Sequence, residues 1–196
     1  AEGAADAQHD ARGDAALCRW DADFEPCFGV HGRNVLLVDL PGHGAEPHRN
    51  EGSWAPSQIR QALAAIVIDL DEGPVDVLGY SLGSRLAWEF AAWNPDLVEH
   101  LVMGGPGAND MLAGFEIEQA RKFLASGEEI NDDLTASIMQ IVASEPSNDA
   151  EALFKLIEGI KTEPFEPETK VPSTPPLLVA GDHDDHVERL VGDELD

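Results

Sequence analysis

The tightest constraint on this chain is a pentapeptide, Gly79-Tyr80-Ser81-Leu82-Gly83, set between two unlike apolar patterns. Before it, residues 75–79 (VDVLG) are short, apolar and rich in β-branched side chains, which reads as a strand. After it, residues 82–93 (LGSRLAWEFAAW) read as a helix that stops before Asn94-Pro95. A G-x-S-x-G segment that closes a strand and opens a helix implies a tight, strained turn. Glycines two before and two after the serine let the backbone crowd its neighbours where a Cβ would clash. Such a turn lifts Ser81 above the sheet edge at a helix N-terminus. There the positive end of the helix and the Leu82 N–H face any oxyanion formed on attack. The plainer alternative is a serine that caps an ordinary helix.

The same alternation extends to either side. Residues 34–39 (NVLLVD) are apolar at successive positions, which predicts a strand buried on both faces; they end at the breaker cluster Leu40-Pro41-Gly42-His43-Gly44. Residues 57–70 read as a helix with Ile59, Leu63, Ile66 and Leu70 on its apolar stripe, and residues 98–103 as a third strand. Strand, helix, strand, helix, strand predicts the α/β class, with a mostly parallel, doubly wound sheet. The alternation then breaks. Residues 117–125, 132–143 and 150–160 all carry helical periodicity, and residues 164–176 contain five prolines, as expected of an extended connector. Residues 176–180 (PLLVA) are the fourth predicted strand, parallel to the other three. This predicts an irregular N-terminal segment over 1–32, a core over 33–108 and 176–196, and a helical cap with its connector over 109–175.

Charge narrows the choice of partners. Twelve Lys and Arg stand against 38 Asp and Glu, a formal net charge of −26. A surface this negative repels phosphate backbones and anionic lipid, so neither nucleic acid nor membrane is expected as a partner; a small-molecule substrate is. No apolar run approaches the roughly 20 residues of a membrane helix, and the N-terminus lacks the basic-then-apolar pattern of a signal peptide. Cys18 and Cys27 make neither a disulfide framework nor a zinc set, and read as free thiols in a reducing, cytoplasmic compartment. Neither G-x-G-x-x-G nor G-x-x-x-x-G-K occurs, so no organic cofactor is implied. His183, Asp185 and His186 form an H-x-D-H pattern of metal-ligand type, but its first histidine would fall on Gly181 and no later histidines follow; no metal site is expected.

Three blocks together resemble a known family. VLLVDLPGHG (35–44), VLGYSLGSRLAWEFAAWNPDLVEHLVMGG (77–105) and PPLLVAGDHDD (175–185) stand in the order and spacing of α/β-hydrolases of the esterase, lipase and C–C hydrolase type. GYSLGSRLA also resembles the menaquinone-pathway cyclohexadiene-carboxylate synthases of that superfamily. The resemblance covers residues 33–191 and implies a partial α/β-hydrolase fold. It makes Ser81 the nucleophile of an acyl transfer to water, with the Leu82 N–H on the oxyanion. The acid follows the late strand in a G-x-x-D arrangement, which places it at Asp184, with Asp185 as its understudy. Tyr80 and His43 belong on the rim of the site in the same comparison.

Some features depart from the family. Its histidine lies several tens of residues beyond the acid, whereas the sequence reaches Asp196 twelve residues after Asp184 and has no histidine after His186. Val30-His31-Gly32 holds a His-Gly pair of the kind that supplies a second oxyanion donor, but no convincing strand precedes it. These departures lead us to expect a chain truncated or altered at both ends and weak or inactive as written. Two other functions stay open at this point: a C–C lyase or synthase of the menaquinone type, and a non-catalytic ligand-binding or scaffold form of the fold.

Overall fold

The computed structural model describes residues 34–43, 54–105, 110–144 and 149–181. The chain divides into two compact units, one made of Ala1–Trp54 with Gly114–Glu158, the other of Ala55–Ala113 with Gly159–Asp196.

The second unit carries the sheet. Helix α1 (Pro56–Leu70) leads to strand β1 (Val75–Tyr80), helix α2 (Leu82–Trp93), strand β2 (Val98–Gly104) and, after the insertion, strand β3 (Pro176–Val179). The strands lie in the order β1-β2-β3, and both pairings are parallel. Gly79 pairs with Met103, which pairs in turn with Leu178, so the carboxyl ends of the three strands share one edge. Three of the four predicted strands are thus present and parallel. On α2, Ala87, Phe90 and Ala91 follow helical spacing and pack with Val98, Leu101 and Met103 of β2. The two alanines let the helix approach the sheet, and Phe90 fills the remaining space. Burying a side chain of the size of Phe90 or Leu101 stabilises the fold by about 1.5–3 kcal/mol.

Helix α1 joins this core along a stripe that differs from the predicted one. Leu63, Ala64 and Val67 pack against the cluster, while Ile66 and Leu70 are exposed. Both sets obey the helical period; contact with α2 selected between them. Proline at the first helical position starts α1, and the Ser57 N–H and hydroxyl both donate to the Glu163 carboxylate, at 2.9 and 2.6 Å. The sheet face opposite α2 leaves Leu78, Tyr80, Leu177 and Val179 exposed.

Residues 34–39 form no strand, which corrects the prediction. Val35, Leu36, Leu37 and Val38 are all exposed rather than buried. An apolar run supplies side chains for a sheet but not the neighbouring backbone that a ladder requires. This run falls in the first unit, outside the one to which the sheet belongs.

In the first unit the turn after that run is well defined. The His43 N–H donates to the Leu40 carbonyl at 2.9 Å across Pro41 and Gly42, with Gly42 at φ +85. Proline then glycine with positive φ is the signature of a type II turn. A Cβ on Gly42 would stand 2.8 Å from the Leu153 nitrogen, so this position also needs glycine for space. The helices of the unit are α3 (Ile117–Ser126), α4 (Asp133–Ser144) and the part of α5 (Ala150–Lys161) up to Glu158. Phe115 and Phe154 meet with ring centroids 6.2 Å apart, and Ala120, Thr135, Met139 and Leu156 are buried. Thr135 accepts the Glu116 N–H at 2.9 Å, and its own N–H donates to Asp132, which starts α4. The Thr135 hydroxyl also donates to the Asp132 carboxylate at 2.5 Å, and this bond together with that from the Thr135 N–H draws the Asp132 carboxyl below its usual range.

Candidate active site

Ser81 stands between β1 and α2 at φ 52 and ψ −114. A positive φ in a residue with a Cβ costs on the order of 1–3 kcal/mol and persists only where the surroundings dictate it. A serine that caps a helix has extended backbone and points its hydroxyl at the helix amides; Ser81 has neither the conformation nor the cap bond. Its side chain is exposed. The N–H groups of Leu82 and Gly83 open α2 and so have no acceptor within their own helix.

Four contacts hold the turn. The Ser81 N–H donates to the Gly104 carbonyl at the end of β2, at 2.9 Å. The Ser81 carbonyl accepts from the N–H groups of Ser84 and Arg85, at 2.9 and 3.3 Å. The fourth is the Ser84 hydroxyl, which lies within hydrogen-bond distance of the strand-end carbonyls of both Gly79 and Gly104. Gly79 has no room for a side chain, since its Cβ would fall 2.1 Å from the Gly83 carbonyl oxygen. Gly83 differs from the expectation: no described atom lies within 4 Å of a Cβ placed there. Close packing therefore requires the first glycine of the pentapeptide and not the second. The Tyr80 ring lies across Gly104 and Gly105, and a Cβ on Gly104 would be 2.8 Å from it.

One turn further along α2, Arg85 is buried among acids. Its guanidinium bonds Glu89 at 3.1 Å and Asp110 at 2.9 Å, donates to the Glu163 carbonyl, and lies over the Phe165 ring. Burial pushes the Glu89 carboxyl above its ordinary range, against the pull of Arg85 and Arg60. Sequence reading missed both Ser84 and Arg85. The trace they leave is polar residues on the helix face that otherwise carries Leu86, Ala87 and Phe90 into the interior.

Of the residues expected at the site, Ser81, Leu82 and Tyr80 come together in the second unit, and His43 lies in the first. The His43 ring is half-buried, with Nδ1 3.3 Å from the Pro41 carbonyl, and desolvation lowers its pKa from the ordinary imidazole value. Asp184, its understudy Asp185, His183 and His186 lie outside the described residues, as do the 1–32 segment and the His31-Gly32 pair. Among the described residues one set of metal-ligand type gathers within 4.8 Å, Asp76, Glu99 and His100; all three are exposed and the set is at the opposite end of β1 from Ser81. No helix among the described residues is long and apolar enough to cross a membrane.

Comparison with known proteins places this geometry. The chain is 34% identical over 125 residues to the esterase Rv0045c of Mycobacterium tuberculosis, an overlap of 62% of this chain and 42% of that protein. It is 35% identical over 109 residues to a 2-hydroxy-6-oxononadienedioate/2-hydroxy-6-oxononatrienedioate hydrolase of Cupriavidus pinatubonensis, covering 54% of this chain and 37% of the relative. The chain thus spans less than half the length of these curated relatives. In fold it is similar to the solved structure of Rv0554 from Mycobacterium tuberculosis, with a TM-score of 0.67 at 18% identity over 92% of this chain and 73% of that one. A strand, a strained serine turn and a helix, on the carboxyl edge of a parallel sheet, agree with a family profile that matches residues 19–196, and the chain belongs to the alpha/beta hydrolase family.

Proposed function

We propose that this chain is the nucleophile-bearing part of a serine hydrolase that cleaves a small ester or related carbonyl compound. The observation that carries this reading is the backbone of Ser81. It is exposed, strained at φ 52, uncapped, and followed by helix-opening N–H groups. Relatives named as an esterase and as a hydrolase support the same class of reaction.

The steps follow from that arrangement. The Ser81 hydroxyl oxygen attacks the carbonyl carbon of the substrate as its proton passes to a general base. The carbonyl oxygen becomes an oxyanion, which the Leu82 N–H and the positive end of α2 stabilise. Collapse expels the alcohol and leaves an acyl group on Ser81, which water then removes. Family resemblance assigns the base to a histidine and its orientation to Asp184, which stabilises the imidazolium while remaining ionised. Tyr80 and His43 belong to the rim in this reading, and the inserted helices to a cap that selects the substrate. The high negative charge fits a small-molecule substrate and a cytoplasmic location.

The test is covalent. A fluorophosphonate probe is expected to label the purified chain at Ser81, as located by peptide mass spectrometry, and to leave Ser81→Ala unlabelled. Labelling at another residue, or labelling that persists in Ser81→Ala, would overturn the assignment. A p-nitrophenyl ester assay on the same pair measures turnover. Without a paired base the rate is expected to fall about 10²–10⁴-fold below that of a complete triad.

A further inference from the structure

A strained turn needs something that makes its alternatives worse. The hydroxyl oxygen of Ser84 lies 2.9 Å from the Gly79 carbonyl oxygen and 2.7 Å from that of Gly104. Those carbonyls belong to two neighbouring parallel strands, β1 and β2, at the edge where the chain turns into α2. A hydroxyl has one proton, so it donates to one carbonyl at a time or is shared between them. A serine within a helix ordinarily bonds back to a carbonyl of its own helix, three or four residues earlier. Ser84 instead reaches five residues back, past the turn, and across to the next strand.

Gly104 makes the arrangement specific. Its carbonyl accepts the Ser84 hydroxyl and also the N–H of Ser81, at 2.7 and 2.9 Å. The N–H that fixes the serine and the hydroxyl that fixes the helix thus converge on one oxygen. Ser84 is 1% exposed, so water has little access to replace it. We propose that Ser84 is a positioning residue, whose hydroxyl, shared between the Gly79 and Gly104 carbonyls, holds Ser81 in its positive-φ conformation. It touches no reacting atom and acts through the backbone of the turn. The kinetic consequence rests on Ser81 being the attacking group, as proposed above; the structural consequence does not.

The experiment compares wild type, Ser84→Ala and Phe90→Leu. Phe90 is on the same helix, further along it than Ser84, and buried in the core cluster with Leu101 and Met103, so its variant controls for lost stability. Two quantities are read per folded molecule: the rate and kcat/KM split for acylation by a p-nitrophenyl ester, and hydrogen exchange at the Ser81 amide. S84A is expected to acylate about tenfold to 10²-fold more slowly with KM unchanged, because small misplacement of a reacting group costs about that much. Its Ser81 amide is expected to exchange at least about tenfold faster, while the Leu101 amide in β2 stays as in wild type. F90L is expected to leave both quantities at the wild-type value. Should S84A not fold, Ser84→Cys, which keeps a weak donor at similar size, is read the same way with smaller changes in both. Ser81 exchange no faster in the Ser84 variant than in F90L would overturn the proposal, whatever the activity. Where wild type turns over too slowly to read, exchange at Ser81 alone decides the proposal, and fluorophosphonate labelling of another residue with the exchange effect intact would instead refute Ser81 as nucleophile and leave Ser84 as the holder of the turn.

Discussion

At the scale of single residues, the two glycines of the pentapeptide look equivalent in sequence and are not equivalent in space. A methyl group on Gly79 would meet backbone atoms of Gly83 and Ser84 at 2.1 to 2.8 Å, and backbone in the first turn of a helix cannot step aside cheaply. Gly79→Ala is therefore expected to destabilise the chain by about 3 kcal/mol, at the severe end for overpacking. Gly83→Ala meets no described atom within 4 Å and removes a glycine from a helix. It is expected to be neutral or stabilising by up to about 1 kcal/mol. Urea denaturation of the two variants checks both, and equal midpoints would show that the crowding at Gly79 relaxes freely. The pattern of glycines was visible in the sequence. Which of them faces a neighbour was not, because that depends on where the next turn of helix passes.

At the scale of elements, α2 is pinned by more than its apolar face. Arg85 joins its first turn to Asp110, beyond β2, and to Glu163, beyond α5; the side chains of Arg85, Glu89 and Asp110 are 8, 14 and 14% exposed. Breaking a buried ion pair from one side leaves the partner charges uncompensated, so Arg85→Ala is expected to cost about 3–5 kcal/mol at neutral pH. The sign of its pH dependence follows from Glu89. Burial already raises that carboxyl above its ordinary value, and losing Arg85 would raise it further. A raised acid opposes folding above its unfolded pKa, where the unfolded chain ionises it freely, and stops doing so below. The R85A deficit should therefore shrink as pH falls from 7 to about 4; melting curves across that range test it, and a deficit that grows would exclude this cause. Sequence reading found α2 and both its neighbouring strands, since their apolar periods are local. It had no means of seeing that residues 85, 110 and 163 converge, because they are far apart along the chain.

For the molecule as a whole, a charge of −26 over 196 residues is the largest unbalanced term. Self-repulsion of this kind weakens the compact state and is screened by salt, with a Debye length of about 10 Å at 0.1 M falling to about 3 Å at 1 M. The melting temperature is accordingly expected to rise by several degrees between 0.05 and 1 M sodium chloride; a flat or falling response would show that paired charges dominate instead. What the sequence determined alone is whatever rests on local period and local turn chemistry. That includes the parallel strands at 75–80, 98–104 and 176–179, the helices before and between them, the Pro41-Gly42 turn and the serine turn at Ser81. Tertiary structure decided everything that depends on a partner distant in the chain. It left 34–39 without a strand, since an apolar run cannot supply its own neighbour. It chose Val67 over Ile66 and Leu70 for the buried side of α1. It also brought the Ser84 hydroxyl to the carbonyl that holds Ser81, a contact between the ends of two strands that no local pattern records.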